Sequence, residues 1–222
     1  SLKVYAKERG FNWEIFTIDI TKEADRAKIQ DLDFDVLINN AGVGESGPLS
    51  EIPLQRLREV FEVNVFGTLA LSQIALKKML EKGQGSLIIV SSVAGRIPIP
   101  FLAPYGMTKF SLSAGAAAMR NEVHRVNSNV HVSLIEPGTY ATGFNASMMA
   151  KKYEWMEPAS VYNKLIPELS KEDARFLQFE KKSTEGIVKQ IVKAVEATKP
   201  KLRYGAPWYQ FRGVQLLRIL GR

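Results

Sequence analysis

The sequence contains no cysteine and only two histidines, His124 and His131. A chain without cysteine can form neither disulfide bonds nor a zinc site built on thiolates. Two histidines do not suffice for a histidine-rich metal centre, so we predict no metal site. The lack of disulfides agrees with a reducing compartment, and a cytoplasmic location is our expectation.

Long apolar runs and dense clusters of charge are also missing. No continuous apolar run reaches the ~18 residues that a membrane-spanning helix requires. The formal net charge is +7, but short basic groups such as Lys151-Lys152 and Lys181-Lys182 are scattered, which does not favour nucleic-acid binding. We interpret the charge as a solvated basic surface; attraction to a phosphorylated cofactor or to an acidic membrane surface is the alternative.

The 222 residues, 45% of them hydrophobic, can bury one sizeable core, and we predict one domain over residues 1–222. Short apolar runs alternate with helical patterns along this chain. Strands are predicted at 13–20, 36–39, 86–91, 129–136 and 202–204, and helices at 21–30 (with Thr21 as its cap), 54–82, 104–125 and 184–197. This alternation predicts an α/β fold with a mostly parallel sheet and right-handed crossovers that place helices on both faces.

Tyr105 and Lys109 stand four positions apart in the predicted helix 104–125, so both lie on one face. A lysine ammonium beside a phenol can favour tyrosinate and lower the tyrosine pKa from its usual ~10. Such a tyrosine can donate or accept a proton near neutral pH. By itself the pair is an ordinary feature of amphipathic helices, so its neighbours decide the interpretation.

Polar residues follow two of the predicted strands. Ser92 follows the strand 86–91, at the end where open α/β sheets bind ligands, and Ser91 is its rival. Asn39-Asn40-Ala41-Gly42 ends another strand with two amides and two small residues that let a flat ligand approach the backbone. Asn64 is a poor helix former inside the predicted helix 54–82, where a solvated side chain or a polar group aimed into a site are the alternatives.

In order and spacing, these residues resemble the classical short-chain dehydrogenase/reductase family. The resemblance runs from Trp13 to the C-terminal tail and also includes Asp19, Pro137-Gly138 and Thr142. It implies a doubly wound Rossmann-type parallel sheet and an NAD- or NADP-dependent oxidoreductase, with NADP slightly favoured. It also implies a homodimer or homotetramer formed through the two long helices.

The resemblance implies a role for each matching residue. Tyr105 would be the general acid/base, Lys109 would lower its pKa and bind the nicotinamide ribose, and Ser92 would orient the substrate oxygen. Asn64 would hold a water that links Lys109 to solvent. Besides Tyr105 and Lys109, the cofactor would be contacted by Asp19 near the adenine, by Asn40, Ala41 and Gly42 along the cleft, and by Pro137, Gly138 and Thr142 at the nicotinamide.

The sequence departs from the family pattern in two places. The glycine-rich turn Thr-Gly-x-x-x-Gly-x-Gly, which cradles the cofactor pyrophosphate, is missing, and Ser1–Gly10 looks like the family's second helix. We expect the sequence to lack a first strand–helix–strand segment of at least ~30 residues; the alternative is a protein that is this short and binds no dinucleotide. The second departure is Tyr140, at a position where the family often has an aliphatic residue.

Residues 143–182 have weak periodicity and many methionine and aromatic residues, which indicates a lid over an apolar substrate or a packed helical excursion. The segment 44–49 resembles the branch of the family that acts on steroids, retinoids and other lipid-like alcohols. Residues 214–222 form either a packing helix, which we favour, or an amphipathic surface anchor. We therefore expect a dehydrogenase/reductase of an apolar alcohol or ketone. A non-catalytic binding or regulatory protein on the same scaffold is the alternative, and a sugar-nucleotide epimerase or dehydratase is disfavoured.

Overall fold

The computed structural model describes residues 8, 10 and 12–220, and the helix suggested for Ser1–Gly10 lies largely outside them. Within the described part of the chain, four parallel strands form one sheet in the order β1-β2-β3-β4. Their bounds are β1 (Val36–Asn39), β2 (Gly85–Val90), β3 (Val130–Pro137) and β4 (Arg203–Ala206). In this register Ile38 of β1 lies beside Ile88 of β2, and Ile88 lies beside Ser133 of β3. The predicted parallel α/β sheet is confirmed.

Helices connect the strands and carry the chain over both faces of the sheet. They are α1 (Glu23–Ala27), α2 (Leu54–Phe61), α3 (Thr68–Lys82), α4 (Ala103–Val126), α5 (Phe144–Lys151), α6 (Ile166–Gln178), α7 (Glu185–Glu196) and α8 (Trp208–Ile219). A π-helical turn (Glu62–Gly67) joins α2 to α3, and short 3-10 turns cover Val93–Gly95, Lys152–Trp155 and Asn163–Leu165.

The core has two layers because successive strand residues point to opposite faces of the sheet. In β2, Leu87 and Ile89 pack with α3 and α4, whereas Ile88 between them packs with α7 on the other face. Burial on both faces explains why β2 is a nearly continuous apolar run in the sequence.

The crossovers do not all have the predicted hand. The strands follow one another in chain order and run parallel, and α3 and α4 pack on one face of the sheet. Since α7 packs on the other face, the β3–β4 crossover has the opposite hand from the first two. The right-handed rule describes direct crossovers; here residues 143–182 first carry the chain across the carboxyl edge of the sheet, and α7 then returns along the other face.

Leu54–Lys82 is continuous in helical character across its π-helical turn and spans 29 residues. By length and composition alone it could cross a membrane. Ala75, Leu76 and Met79 are nevertheless buried in the core beside β2 and β3, which is the behaviour of a core helix in a folded domain.

Two predictions near the start of the chain are wrong. Residues 12–19 form no strand, because no strand of the described sheet pairs with them; Trp13 and Phe16 are about half exposed. The predicted helix 21–30 shortens to α1, and Thr21 does not cap it. Instead, the Thr21 hydroxyl donates to Asp19 at 2.7 Å.

The segment 143–182 is a helical excursion made of α5, α6 and the two short turns between them. Its ends meet at a single β-bridge between Tyr140 and Lys181. The C-terminal segment forms α8, which contacts β4, so the expected packing is found on one side of this helix.

Candidate active site

Tyr105 and Lys109 lie in the first two turns of α4, and both are buried. Pro104 begins the helix, where a proline's missing N–H costs no hydrogen bond. The Lys109 ammonium lies 5.5 Å from the centroid of the Tyr105 ring. The spacing of four residues thus places both side chains on one face, as predicted.

The ionisation of the pair differs from the prediction. Burial raises the pKa of Tyr105 to about 12, although a hydrogen bond with Ser92 opposes this rise. The Lys109 ammonium lies over the Tyr105 ring and donates to the Val90 carbonyl at 3.0 Å, and its effect on the phenol stays a prediction. Burial also lowers the pKa of Lys109 itself, to about 8.

Ser92 rather than Ser91 faces the tyrosine. The Ser91 hydroxyl is buried, donates to the Lys109 carbonyl at 3.2 Å and lies 3.3 Å from the Ser113 hydroxyl. Ser92, one residue further from β2, hydrogen-bonds Tyr105 and accepts from the Ala94 amide at 3.1 Å. The structure thus distinguishes the two serines that the sequence left as rivals.

Asn64 is fully buried in the π-helical turn, so the solvated alternative is wrong. Its side-chain oxygen accepts from the Val43 amide at 2.8 Å, and its nitrogen donates to the Val43 carbonyl at 2.9 Å and to the Thr108 hydroxyl at 3.1 Å. Thr108 in turn donates to the Tyr105 carbonyl at 2.7 Å. Asn64 therefore joins the loop after β1 to the first turns of α4, and its water-holding role stays a prediction.

The carboxyl ends of β1, β2 and β3 open into one cavity of about 760 Å³. Most of the predicted site residues line it: Asn40, Gly42, Ser92, Tyr105, Lys109, Pro137, Gly138 and Thr142. Asn64 lies behind this wall, and Ala41 stands between two lining residues without lining the cavity itself.

Asp19 does not join this group. Its carboxylate accepts from the Thr21 amide at 3.0 Å and lies 3.6 Å from the Lys22 ammonium, at an exposed turn before α1. These hydrogen bonds lower the pKa of Asp19. The structure therefore gives Asp19 a turn-stabilising position, and its contact with an adenine stays a prediction.

The Pro137-Gly138 segment is fastened by a residue that the sequence did not reveal. The Gln210 side-chain oxygen accepts from the Thr139 amide at 2.8 Å, and its nitrogen donates to the Thr139 hydroxyl at 2.9 Å. A Cβ at Gly138 would collide with that oxygen, so the glycine lets α8 close on this segment. Gln210 lies 71 positions from Thr139, and no local pattern could have connected them.

Tyr140, the second departure from the family pattern, is accommodated by the core. It is buried in the layer formed by α7 and β4, in the same cluster as Ile187 and Ala206. Its backbone carbonyl accepts from the Thr142 amide at 2.8 Å, which holds the turn after Gly138.

A buried ion cluster lies next to the Pro137-Gly138 segment of the site. The Glu136 carboxylate, just before Pro137, is fully buried and paired with Arg203 of β4 and with Arg96, the latter at 3.4 Å. A buried carboxylate needs such partners. The cluster joins the turn after Ser92 to the end of β3 and to the beginning of β4.

The far end of the cavity is apolar. The Phe144 ring lies 5.7 Å from the Tyr105 ring, and Met148 packs with Tyr105 and Ala94. Phe176, Phe179 and Leu217 line the cavity further out and are partly exposed. The residues therefore form a polar end and an apolar end in one cavity.

Besides Gln210, the sequence reasoning missed Thr108 and Gly95. Thr108 occupies an unspecified position of Tyr-x-x-x-Lys, so only its contact with Asn64 reveals it. A Cβ at Gly95 would lie 2.6 Å from the Lys109 carbonyl oxygen, so glycine is needed for the turn after Ser92 to approach α4.

Comparison with known proteins agrees with this geometry. The family model for short chain dehydrogenase matches residues 4–153. The chain belongs to this family.

Two curated relatives are informative. The chain is 31% identical to retinol dehydrogenase 8 from Bos taurus over 181 residues, covering 79% of this chain and 56% of that protein. It is also 31% identical to the uncharacterized oxidoreductase YbbO from Escherichia coli K12 over 216 residues, covering 95% of this chain and 74% of the relative. The chain thus spans little more than half of the first relative and about three quarters of the second.

Solved structures share the fold. A short-chain dehydrogenase/reductase from Burkholderia phymatum, in complex with NAD, has a TM-score of 0.78 at 19% identity, covering 96% of this chain and 77% of that one. A short-chain dehydrogenase from Sphingobium yanoikuyae, in complex with NADPH, has a TM-score of 0.70 at 16% identity, covering 99% and 80%. At these identities the likeness shows the fold alone, which is the Rossmann-like fold expected from the sequence.

Proposed function

We propose that the protein is an NAD(P)-dependent oxidoreductase that interconverts an apolar alcohol and its ketone, with Tyr105 as the general acid/base. One observation carries the proposal. Tyr105, Ser92 and Lys109 meet at the polar end of a cavity whose other end is lined by phenylalanine, methionine and leucine.

The described residues fit the nicotinamide end of such a cofactor. Lys109 and Tyr105 line the same cavity as Gly42, Gly138 and Thr142. A Cβ at Gly42 would lie 3.3 Å from the Asn64 oxygen and 3.7 Å from the Lys109 ammonium, so glycine leaves room beside this lysine. Lys109 would hold ribose hydroxyls, and the Gly138–Thr142 turn would contact the carboxamide.

When bound, the nicotinamide supplies or accepts the hydride, and this chain's residues handle the proton. In the oxidation direction, Tyr105 accepts the alcohol proton while the substrate carbon loses a hydride and its C–O bond becomes a carbonyl. Ser92 hydrogen-bonds the same oxygen and orients it. With a pKa of about 12, the Tyr105 phenol is protonated near neutral pH, and this is the form that would donate the proton in ketone reduction.

The apolar end of the cavity supports a lipid-like substrate. Phe144 and Met148 lie next to Tyr105, so an apolar body would lie beside the reacting carbon. The similarity to retinol dehydrogenase 8, whose name indicates a retinoid alcohol, supports the same substrate class. We expect retinoid- or steroid-like alcohols to be better substrates than short polar ones.

The test is a fluorescence titration of the full-length protein with NADPH and NADH, with its intact mass measured on the same sample. Turnover is then measured with a retinoid or steroid ketone and with a short polar ketone. We expect saturable binding of one reduced cofactor and a higher kcat/KM for the apolar ketone. Absence of binding would favour a non-catalytic binding protein, whereas binding with preference for the polar ketone would overturn only the substrate class.

We also propose self-association through the two long helices. Leu54, Phe66, Met107 and Phe110 are exposed large apolar residues on α2, on the π-helical turn and on α4. The substitution Phe66→Asp should shift the protein to a smaller species in sedimentation velocity. A wild-type protein that sediments as a monomer would contradict this assembly.

A further inference from the structure

Helix α8 is apolar on two sides, and only one of them packs against the protein. Gln210, Val214 and Leu217 line the cavity. Trp208, Leu216 and Ile219 recur at the spacing of a second helical stripe and are 75%, 58% and 81% exposed. Leu220 directly follows the helix and is also exposed, so this second stripe is an apolar surface that the described residues leave uncovered.

Exposed apolar residues also line the cavity itself. Phe179, at the end of α6, lines the cavity and is 78% exposed, and Phe176 lies one helical turn before it. Leu217 of α8 lines the same cavity beside the exposed stripe. We call the exposed stripe of α8 and the exposed cavity-lining residues Phe176, Phe179 and Leu217 together the rim face.

The charge of the rim face has one dominant sign. From Trp208 to Arg222, which covers α8 and the residues after it, the sequence has no Asp or Glu and three basic residues: Arg212, Arg218 and Arg222. Arg203 is engaged by Glu136, whereas Arg212 and Arg218 are exposed and form no ion pair within residues 12–220.

The α6 side of the rim face carries the same sign of charge. Lys181 and Lys182 are exposed and follow Phe179 closely. Glu180 is the acidic residue among them, and it accepts from the Asn145 side chain at 2.6 Å.

We propose that the rim face docks on the surface of an anionic lipid bilayer, with the mouth of the cavity towards the lipid. Exposed aromatic and aliphatic side chains flanked by arginine and lysine are the composition of helices that lie in a membrane interface. Trp208 and Tyr209 add the amphipathic rings that favour this depth. Anionic lipids of a cytoplasmic leaflet attract such basic residues.

The charge of the rim face also favours an anionic lipid surface over a second copy of the chain as its partner. Two rim faces brought together would oppose cations to cations, which disfavours self-association. An anionic lipid surface instead complements them. The docking itself does not require catalysis, but entry of an apolar substrate from the bilayer rests on the proposed function.

The experiment is flotation of the full-length protein with vesicles of phosphatidylcholine alone or of phosphatidylcholine with phosphatidylserine, without substrate or cofactor. We expect binding to the anionic vesicles and release at high salt, because surface charges are screened. Leu216→Glu with Ile219→Glu should lower vesicle binding about tenfold or more, and Arg212→Gln with Arg218→Gln should lower it about tenfold.

Matched controls lie at the opposite edge of the sheet, at the end of α4. Val126 is 75% exposed, so Val126→Glu tests the same chemistry as Ile219→Glu away from the rim face. Arg125 is also exposed, so Arg125→Gln tests the loss of an exposed cation away from the rim face. Both controls should bind anionic vesicles as the wild type does.

Three results would overturn the proposal. The protein does not float with anionic vesicles; or the rim and control variants bind equally; or the rim variants lower Tm by several degrees, which would mean that another part of the full-length protein covers the stripe. Turnover in solution without vesicle binding would refute docking and leave the proposed function standing. Vesicle binding without turnover would support docking and contradict the proposed function.

Discussion

The two ends of the cavity are built differently. At the polar end, Asn64, Thr108 and Lys109 are buried on long helices, and hydrogen bonds of about 3 Å join them to loops and strand ends. At the apolar end, Phe176, Phe179 and Leu217 stand on shorter helices and remain partly exposed. The difference shows that the arrangement of the polar end is held by many buried contacts, whereas the side chains of the apolar end have fewer neighbours to hold them.

The largest expected effect is at the polar end. Tyr105→Phe removes the hydroxyl that we propose exchanges a proton with the substrate, and it should lower kcat by ~10²–10⁴. The dissociation constant for NADPH or NADH should change by no more than a few fold, as measured by fluorescence titration. Tyr209→Phe, at an exposed tyrosine outside the cavity, is the control. Turnover of Tyr105→Phe near the wild-type rate would refute the general acid/base assignment.

Asn64→Ala tests whether the hydrogen bonds of Asn64 also stabilise the folded protein. It removes three hydrogen bonds of a fully buried side chain, two to the Val43 backbone and one to the Thr108 hydroxyl, and each such bond contributes about 0.5–1.5 kcal/mol. We expect the free energy of unfolding in urea to fall by about 2–4 kcal/mol. The exposed Asn121→Ala on α4 should change it by less than about 0.5 kcal/mol. Equal changes in the free energy of unfolding for the two substitutions would contradict a stabilising role of Asn64.

Lys109→Met should separate function from stability. Burial lowers the pKa of Lys109 from 10.5 to about 8, which corresponds to about 3 kcal/mol in favour of the neutral amine. The folded state therefore bears a penalty that is fully present below pH 8 and disappears as the pH rises towards 10.5. We expect the variant to have a higher Tm than the wild type at pH 7 but no turnover.

The pH series checks the sign of that prediction. The Tm difference between Lys109→Met and the wild type should shrink between pH 8 and 9.5, below the pH at which tyrosine in the unfolded chain ionises. A Tm difference that grows with pH, or a less stable variant at pH 7, would show that the hydrogen bond from Lys109 to Val90 outweighs the burial of its charge.

The smallest expected effect is at Gln210 of α8, which lines the cavity. Gln210→Ala removes two hydrogen bonds to Thr139 and should loosen α8 at a cost of about 1 kcal/mol. We expect KM for the apolar ketone to rise several-fold while kcat changes less, in steady-state kinetics. Gln210→Glu keeps the acceptor for the Thr139 amide and should recover part of the KM, and Gln215→Ala is the control on the same helix. A fall in kcat with KM unchanged would contradict a positioning role.

Local patterns allowed much of the fold to be predicted. The strands β1 to β4 and the helices α4 and α7 lie within one or two residues of the predicted bounds, because each carries its own apolar periodicity or run. The residues 13–20 carry the same kind of run, but they form no strand. A strand depends on hydrogen bonds to a neighbour, and the described sheet places none beside them.

In the candidate site, too, some features could be predicted from local patterns and others needed the structure. Tyr105 and Lys109 could be placed together because a helix brings residues four apart onto one face. The choice between Ser92 and Ser91 and the contacts of Asn64 needed the structure, since they depend on how α4 approaches the ends of β1 and β2. The pKa of Tyr105 is raised because burial, which the sequence does not reveal, outweighs the hydrogen bond with Ser92.

The sequence by itself determined most of the elements, the parallel α/β class and the pairing of Tyr105 with Lys109 on one helix face, since these follow from periodicities and short spacings. Only the tertiary structure decided which side chains share the cavity, which contacts hold them and which apolar surfaces remain exposed. Gln210 on Thr139 and the uncovered stripe of α8 belong to this second group. Their partners are distant in the chain, and packing alone brings them together or leaves them uncovered.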